Sequence, residues 1–210
     1  METGFFKNKK GLLFVVSGPA GSGKGTIMKM LMENGNDYAL SVSATTRAPG
    51  LNERDGVEYH FKTREQFESM IANGDLLEYA EYVGNYYGTP KAPALEVLGT
   101  GKHLLLEIDV VGGLQIKKAY PEAILVMIVP PGADEQERRL RDRGRDSEES
   151  ILRRLERAKD ELKQIELYDY ILVNETGKAE ETANAFRAIT AAEMNAVART
   201  PDVYNTFFGK

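Results

Sequence analysis

The stretch Ser17-Gly18-Pro19-Ala20-Gly21-Ser22-Gly23-Lys24-Gly25-Thr26 sets glycines around a single lysine, directly after an apolar run at residues 12–16. Glycine lets successive backbone N–H groups turn to one side without Cβ clashes. A helix that follows adds unpaired N–H groups and the positive end of its dipole. This chemistry suits a phosphorylated ligand, with Lys24 a mobile charge for its terminal phosphates. Gly18 to Lys24 fits G-x-x-x-x-G-K completely, whereas Gly25 stands where a hydroxyl usually follows and Thr26 comes one step later.

Two further groups could do chemistry. Glu107 and Asp109 lie two apart at the end of an apolar run, so on a strand they share a face and project beyond its carboxyl end. A carboxylate so placed can orient water on a magnesium ion. Arg138, Arg139, Arg141, Arg143, Arg145, Arg153, Arg154 and Arg157 crowd a stretch interspersed with acids, and most of them read as a solvated surface.

The elements that must position these groups follow from the apolar pattern. Runs without alternation at residues 12–16, 103–108, 123–129 and 170–173 predict strands buried on both faces, hence a parallel sheet. Helical patterns at 25–34, 134–142, 147–167 and 178–199 lie between them, giving an alternating α/β layout. Ile151, Leu155, Ala158, Leu162 and Ile165 mark one helix face, which reads as core. Residues 41–97 break the pattern with short alternating pieces and predict an inserted lobe. Its one well-signalled helix starts at Thr63 with Gln66 completing a capping box, carries Phe67, Met70 and Ile71 on one face, and stops at Asn73-Gly74.

Composition narrows the classes. A chain of 210 residues with 27 basic and 32 acidic side chains has net charge −5, so nothing attracts the whole molecule to nucleic acid or an anionic membrane. Any anion site must be local. The absence of cysteine excludes disulfides and thiolate metal sites, and His60 and His103 leave little for zinc. The basic segment 1–10 leads into the phosphate loop and not into a cleavage site, which predicts a cytoplasmic protein with no membrane or nucleic-acid partner. The sequence leaves the oligomeric state open, together with whether the tail bearing Tyr204, Phe207 and Phe208 docks on the core or on another subunit.

The phosphate loop, Ser41-Val42-Ser43-Ala44-Thr45-Thr46-Arg47, Gly84-Asn85-Tyr86-Tyr87-Gly88-Thr89 and Leu106-Glu107-Ile108-Asp109, followed by Arg143-Gly144 and Glu148-Glu149-Ser150, together resemble guanylate kinase. The resemblance spans nearly the whole chain. It implies an α/β fold with a P-loop NTPase core whose parallel sheet is flanked by helices, an inserted GMP-binding lobe and a mobile lid. It implies a single domain over 1–210, with core segments 1–40, 98–132 and 153–210, the GMP lobe at 41–97 and the lid at 133–152. The implied activity is phosphoryl transfer from ATP to GMP with Mg2+.

By family position, Gly18, Pro19, Ala20, Gly21, Ser22, Gly23, Lys24, Gly25 and Thr26 would hold ATP, with Arg139 and Asn174 beside them. Glu78 would accept from the guanine edge, Ser43 or Thr89 would donate to O6, and Asp109 would reach the exocyclic amine. Arg47 would grip the acceptor phosphate between the Tyr59 and Tyr87 hydroxyls. Lys24, Arg47, Arg143 and Arg154 would carry catalysis by offsetting repulsion between two polyanions, while Thr26 and Glu107 would reach the metal, through water in Glu107's case.

The chain departs from the family pattern twice. After Arg47-Ala48-Pro49 a second phosphate-binding arginine is usual, yet here stands Gly50, with Arg54 either swinging in to replace it or simply solvated. Val111 stands where a glutamine is common. Two rivals remain at this level: another nucleoside-monophosphate kinase, since Gly23-Lys24-Gly25-Thr26 also resembles the adenylate kinase loop, and a non-catalytic guanylate-kinase-like binding module.

Overall fold

The computed structural model describes residues 10–33, 35, 37–144, 146–199 and 203–208. In chain order the elements are β1 (Leu13–Ser17), α1 (Lys24–Glu33), β2 (Tyr38–Leu40), β3 (Ala44–Thr45), β4 (His60–Phe61) and α2 (Arg64–Asn73). There follow β5 (Leu76–Tyr82), β6 (Asn85–Pro90), α3 (Lys91–Gly99), β7 (His103–Glu107), α4 (Val110–Ala119) and β8 (Ile124–Val129). The chain continues through α5 (Ala133–Asp142), α6 (Glu148–Leu162), β9 (Tyr170–Val173), α7 (Ala179–Met194) and a terminal turn of helix, α8 (Val203–Phe208).

Five strands form a wholly parallel sheet in the order β2-β7-β1-β8-β9. Side chains of β1 leave alternately to the two faces, and both faces are covered. Phe14 and Val16 pack with Ile27, Met28 and Leu31 of α1 and with Ala183 and Phe186 of α7. Leu13 and Val15 pack on the other side with Ala94 of α3, Ile116 of α4 and Leu104 and Leu106 of β7. Burial on both faces is why these strands lack alternation in the sequence. The central position of β1 aims the chain that leaves it into the crevice at the carboxyl end of the sheet.

A second sheet, ordered β4-β3-β6-β5, builds the lobe within 41–97. β3 pairs parallel with β4 and antiparallel with β6, which also pairs antiparallel with β5. The predicted helix is α2: Thr63 accepts from the Gln66 N–H, Gln66 closes the reciprocal bond, and Gly74 ends the helix at φ 71°. Phe67 is its fully buried anchor, stacked on Tyr86 of β6.

Some elements differ from expectation. α4 is absent from the apolar pattern because Gly112 and Gly113 occupy its first turn, and glycine is a poor helix former. β2 is short and half-exposed, so it too leaves little trace. The helix expected over 147–167 ends at Leu162 and gives way to a 3-10 turn at Ile165–Leu167, and α7 ends at Met194 with a 3-10 turn at Val197–Arg199. α3 and α6 each run unbroken across the boundaries expected at 97/98 and 152/153.

The apolar stripe on α6 is only partly core. Ile151 and Ala158 are buried, whereas Leu162 is exposed, as is the adjoining Leu152. With Leu155, Val129 and Ile171 of the edge strand β9, Leu152 and Leu162 line an open groove of about 760 Å³ between α5, α6 and the sheet. Among the described residues no helix is long and apolar enough to cross a membrane.

Candidate active site

The chain leaving β1 turns through Gly18–Gly23 into α1. Gly18 sits at φ +145°, where a Cβ would fall 1.9 Å from the Ile128 carbonyl oxygen of β8. At Gly23, φ +89°, a Cβ would meet the Asn174 side-chain nitrogen at 2.3 Å. Both positions admit glycine for reasons of space as well as conformation. The loop carbonyls are held from behind. Gln136 Nε2 donates to the Ala20 carbonyl at 2.9 Å and Asn174 Nδ2 to the Ser22 carbonyl at 2.8 Å. Arg139 Nη1 lies 3.4 and 3.5 Å from the Gly21 and Ser22 carbonyls, and its Nη2 donates to the Asn174 carbonyl at 2.8 Å. Apart from the Ser22 N–H, which donates to the Pro19 carbonyl at 3.2 Å, tying the carbonyls to one side lets the loop N–H groups face an anion on the other.

Lys24 Nζ donates to the Gly18 carbonyl and, at 3.3 Å, to that of Pro19. Burial lowers its pKa, Glu107 and Glu161 pull it back up, and the nearby Arg143 charge lowers it again. Glu107 ends β7 next to β1, its pKa raised by desolvation and drawn back by Lys24. The phosphate loop, Lys24, Glu107 and Arg143 therefore share one electrostatic neighbourhood. Gly25 and Thr26 are exposed on the first turn of α1, and a Cβ at Gly25 meets nothing within 4 Å. Arg154 pairs with Asp146 at 3.2 Å beside the α5–α6 turn. Arg145 lies outside the described residues, as do segment 1–9 and part of the tail.

Across the crevice, Glu78 of β5 is buried and accepts the Thr89 hydroxyl of β6 at 2.7 Å. Burial, with Asp109 adding repulsion and Thr89 opposing, pushes its pKa up to about 7. α4 makes room for it, since a Cβ on Gly112 would stand 2.8 Å from Glu78 Oε2. Asp109 is the N-cap of α4: one oxygen accepts the Gly112 N–H at 2.9 Å and the other accepts Arg157 Nη2 at 3.0 Å. Ser43 is half-buried, just before β3.

Arg47 follows β3. Its backbone N–H donates to Thr45 Oγ1, its guanidinium lies 5.4 Å from the Tyr59 ring centre, and Tyr87 adjoins both groups. Arg47 Nη2 is 2.8 Å from each Glu53 carboxylate oxygen. Arg54 is exposed, and its backbone N–H is held by Glu58.

Three participants escaped the sequence reading. Gln136 and Arg157 were indistinguishable from polar residues on exposed helices, and Glu53 lay in a loop whose turn brings it back to Arg47. The expected pair Glu107 and Asp109 separates: Glu107 faces Lys24, while Asp109 neighbours Glu78.

A phosphate loop on the central strand of a parallel sheet, set across a crevice from a lobe with a buried carboxylate and an arginine–tyrosine cluster, defines a P-loop phosphotransferase that joins two nucleotide sites. Sequence comparison makes the class specific: the family model for guanylate kinase matches residues 10–192, and the chain belongs to that family. It is 47% identical to guanylate kinase of Carboxydothermus hydrogenoformans over 88% of this chain and 89% of that protein. Identity to guanylate kinase of Lactococcus lactis is 46% over 93% and 95%. The solved guanylate kinase from Anaplasma phagocytophilum superposes with a TM-score of 0.77 at 30% identity, covering 97% of this chain and 96% of that one.

Proposed function

We propose that this chain works in the cytoplasm and transfers the terminal phosphoryl group of ATP to GMP, giving ADP and GDP. The observation that carries this reading is the buried Glu78 carboxyl beside Asp109. Guanine offers N1–H and an exocyclic amine, which two neighbouring acceptors satisfy. Adenine presents an acceptor at N1 and would leave Glu78 unpaired, costing about 1–3 kcal/mol. The Thr89 hydroxyl hydrogen is engaged by Glu78, which leaves Ser43 as the donor to O6. Tyr59 and Tyr87 stand with Arg47 at the acceptor phosphate.

On the donor side backbone N–H groups of the loop between Gly18 and Thr26 and the Lys24 ammonium receive the phosphates, with Gln136, Arg139 and Asn174 fixing the loop. Arg143 and Arg154 flank the α5–α6 turn, from where a lid brings positive charge to the transferring group and excludes water. The attacking oxygen of GMP is already anionic, so no general base is required. Among the described residues no cluster of three or more histidine or carboxylate side chains could hold a metal ion. One carboxylate and one hydroxyl fit Mg2+ delivered with ATP, which brings phosphate oxygens and keeps several waters, so Thr26 and, through water, Glu107 would hold it. When bound, Mg2+ would neutralise negative charge on the phosphates.

ADP release with ATP, Mg2+ and each nucleoside monophosphate in turn tests the proposal. GMP as the preferred acceptor is expected. Preference for AMP, or silence with every acceptor, overturns it.

A further inference from the structure

The acceptor-phosphate cradle already contains an anion. The Glu53 carboxylate accepts from Arg47 Nη2 at 2.8 Å through each oxygen, and from the Gly50 N–H at 2.7 Å. It is an electrostatic neighbour of Tyr59, whose ring lies beside the same guanidinium and against Tyr87. A guanidinium, a backbone N–H and neighbouring phenols form the donor set a phosphate would take. We propose that Glu53 is an internal competitor for the acceptor phosphate, and that its displacement from Arg47 and Gly50 sets the affinity of the acceptor site. This rests on the reading of Arg47 as the phosphate grip.

The substitution at position 50 makes the competition sharp. With glycine there and Arg54 exposed, the carboxylate and an incoming phosphate dianion contend for one guanidinium, and like charges so close repel. Gly50 also admits the plug, because a Cβ at this position would lie 3.2 Å from Glu53 Oε2 and press on it. The Glu53 N–H closes the turn onto the Gly50 carbonyl, so the carboxylate swings on a short four-residue loop. A prop for Arg47 would need the guanidinium contact alone; the additional Gly50 N–H contact marks occupation of an anion site.

Glu53→Gln keeps the shape and removes the charge. The expected result is a GMP KM lower by about two- to fivefold, the scale of a surface ion pair, with the KM for ATP unchanged. Gly50→Ala, which crowds the carboxylate, moves the GMP KM in the same direction by less. Inorganic sulfate gives a readout independent of turnover: its stabilisation of the protein against heat becomes larger in Glu53→Gln than in the wild type. A GMP KM that rises or stays constant in Glu53→Gln, with sulfate binding no tighter, overturns the inference and makes Glu53 a support for Arg47. Wild-type protein silent with GMP overturns the proposed activity instead, and the sulfate comparison still decides the competition.

Discussion

On the proposed reading, Glu78 is the residue whose protonation decides acceptor binding. Burial raises its pKa to about 7, so its neutral and ionised forms exchange around neutral pH. Guanine needs the anion, so kcat/KM for GMP falls as pH drops through about 7, and Glu78→Gln both raises the GMP KM and removes that limb of the profile. The stability effect has the opposite sign. A carboxyl whose folded pKa exceeds its unfolded value favours the fold at low pH and loses that contribution as pH rises through about 7. Glu78→Gln therefore melts higher than the wild type at pH 8, measured by thermal denaturation. Gly112 is the steric counterpart: Gly112→Ala places a methyl 2.8 Å from Glu78 Oε2, and the GMP KM rises by about tenfold or more while the ATP KM holds.

At the scale of elements, the donor site is a loop hung between α5 and the end of β9. Asn174 was expected beside the ATP-holding loop; its Nδ2 lies on the Ser22 carbonyl, behind that loop. Asn174→Ala removes that contact and leaves a carbonyl short of a partner. Its expected result is a KM for ATP raised by about five- to tenfold with the GMP KM little changed, read by steady-state kinetics. The elements themselves were unevenly legible. The buried strands and α2 announced themselves, the first by unbroken apolar runs and the second by Thr63, Gln66 and Gly74. α4 did not, because glycines that make room for Glu78, Val15 and Tyr168 also erase the helical signature. Positions given over to the site are those at which local preference is weakest.

Over the whole molecule, the phosphate loop and the motif order disclosed two nucleotide sites, and the parallel sheet explains why they face each other. Residues joined through long-range folding stayed hidden, since Gln136 reaches Ala20 and Arg157 reaches Asp109 across 116 and 48 positions. The stripe on α6 was the reverse case, a periodic signal read as core of which Leu155 and Leu162 line an open groove while Ile151 and Ala158 stay buried. That groove gives the protein a way to fail in the test tube. Beside it runs β9, an edge strand with Ile171 and Val173 about half exposed. An apolar edge of this kind invites strand-to-strand association between copies, and a charge is the usual protection. Ile171→Lys is expected to slow the growth of light scattering at high concentration and 37 °C, so shelf life is set at the rim farthest from β2 and not at either nucleotide site.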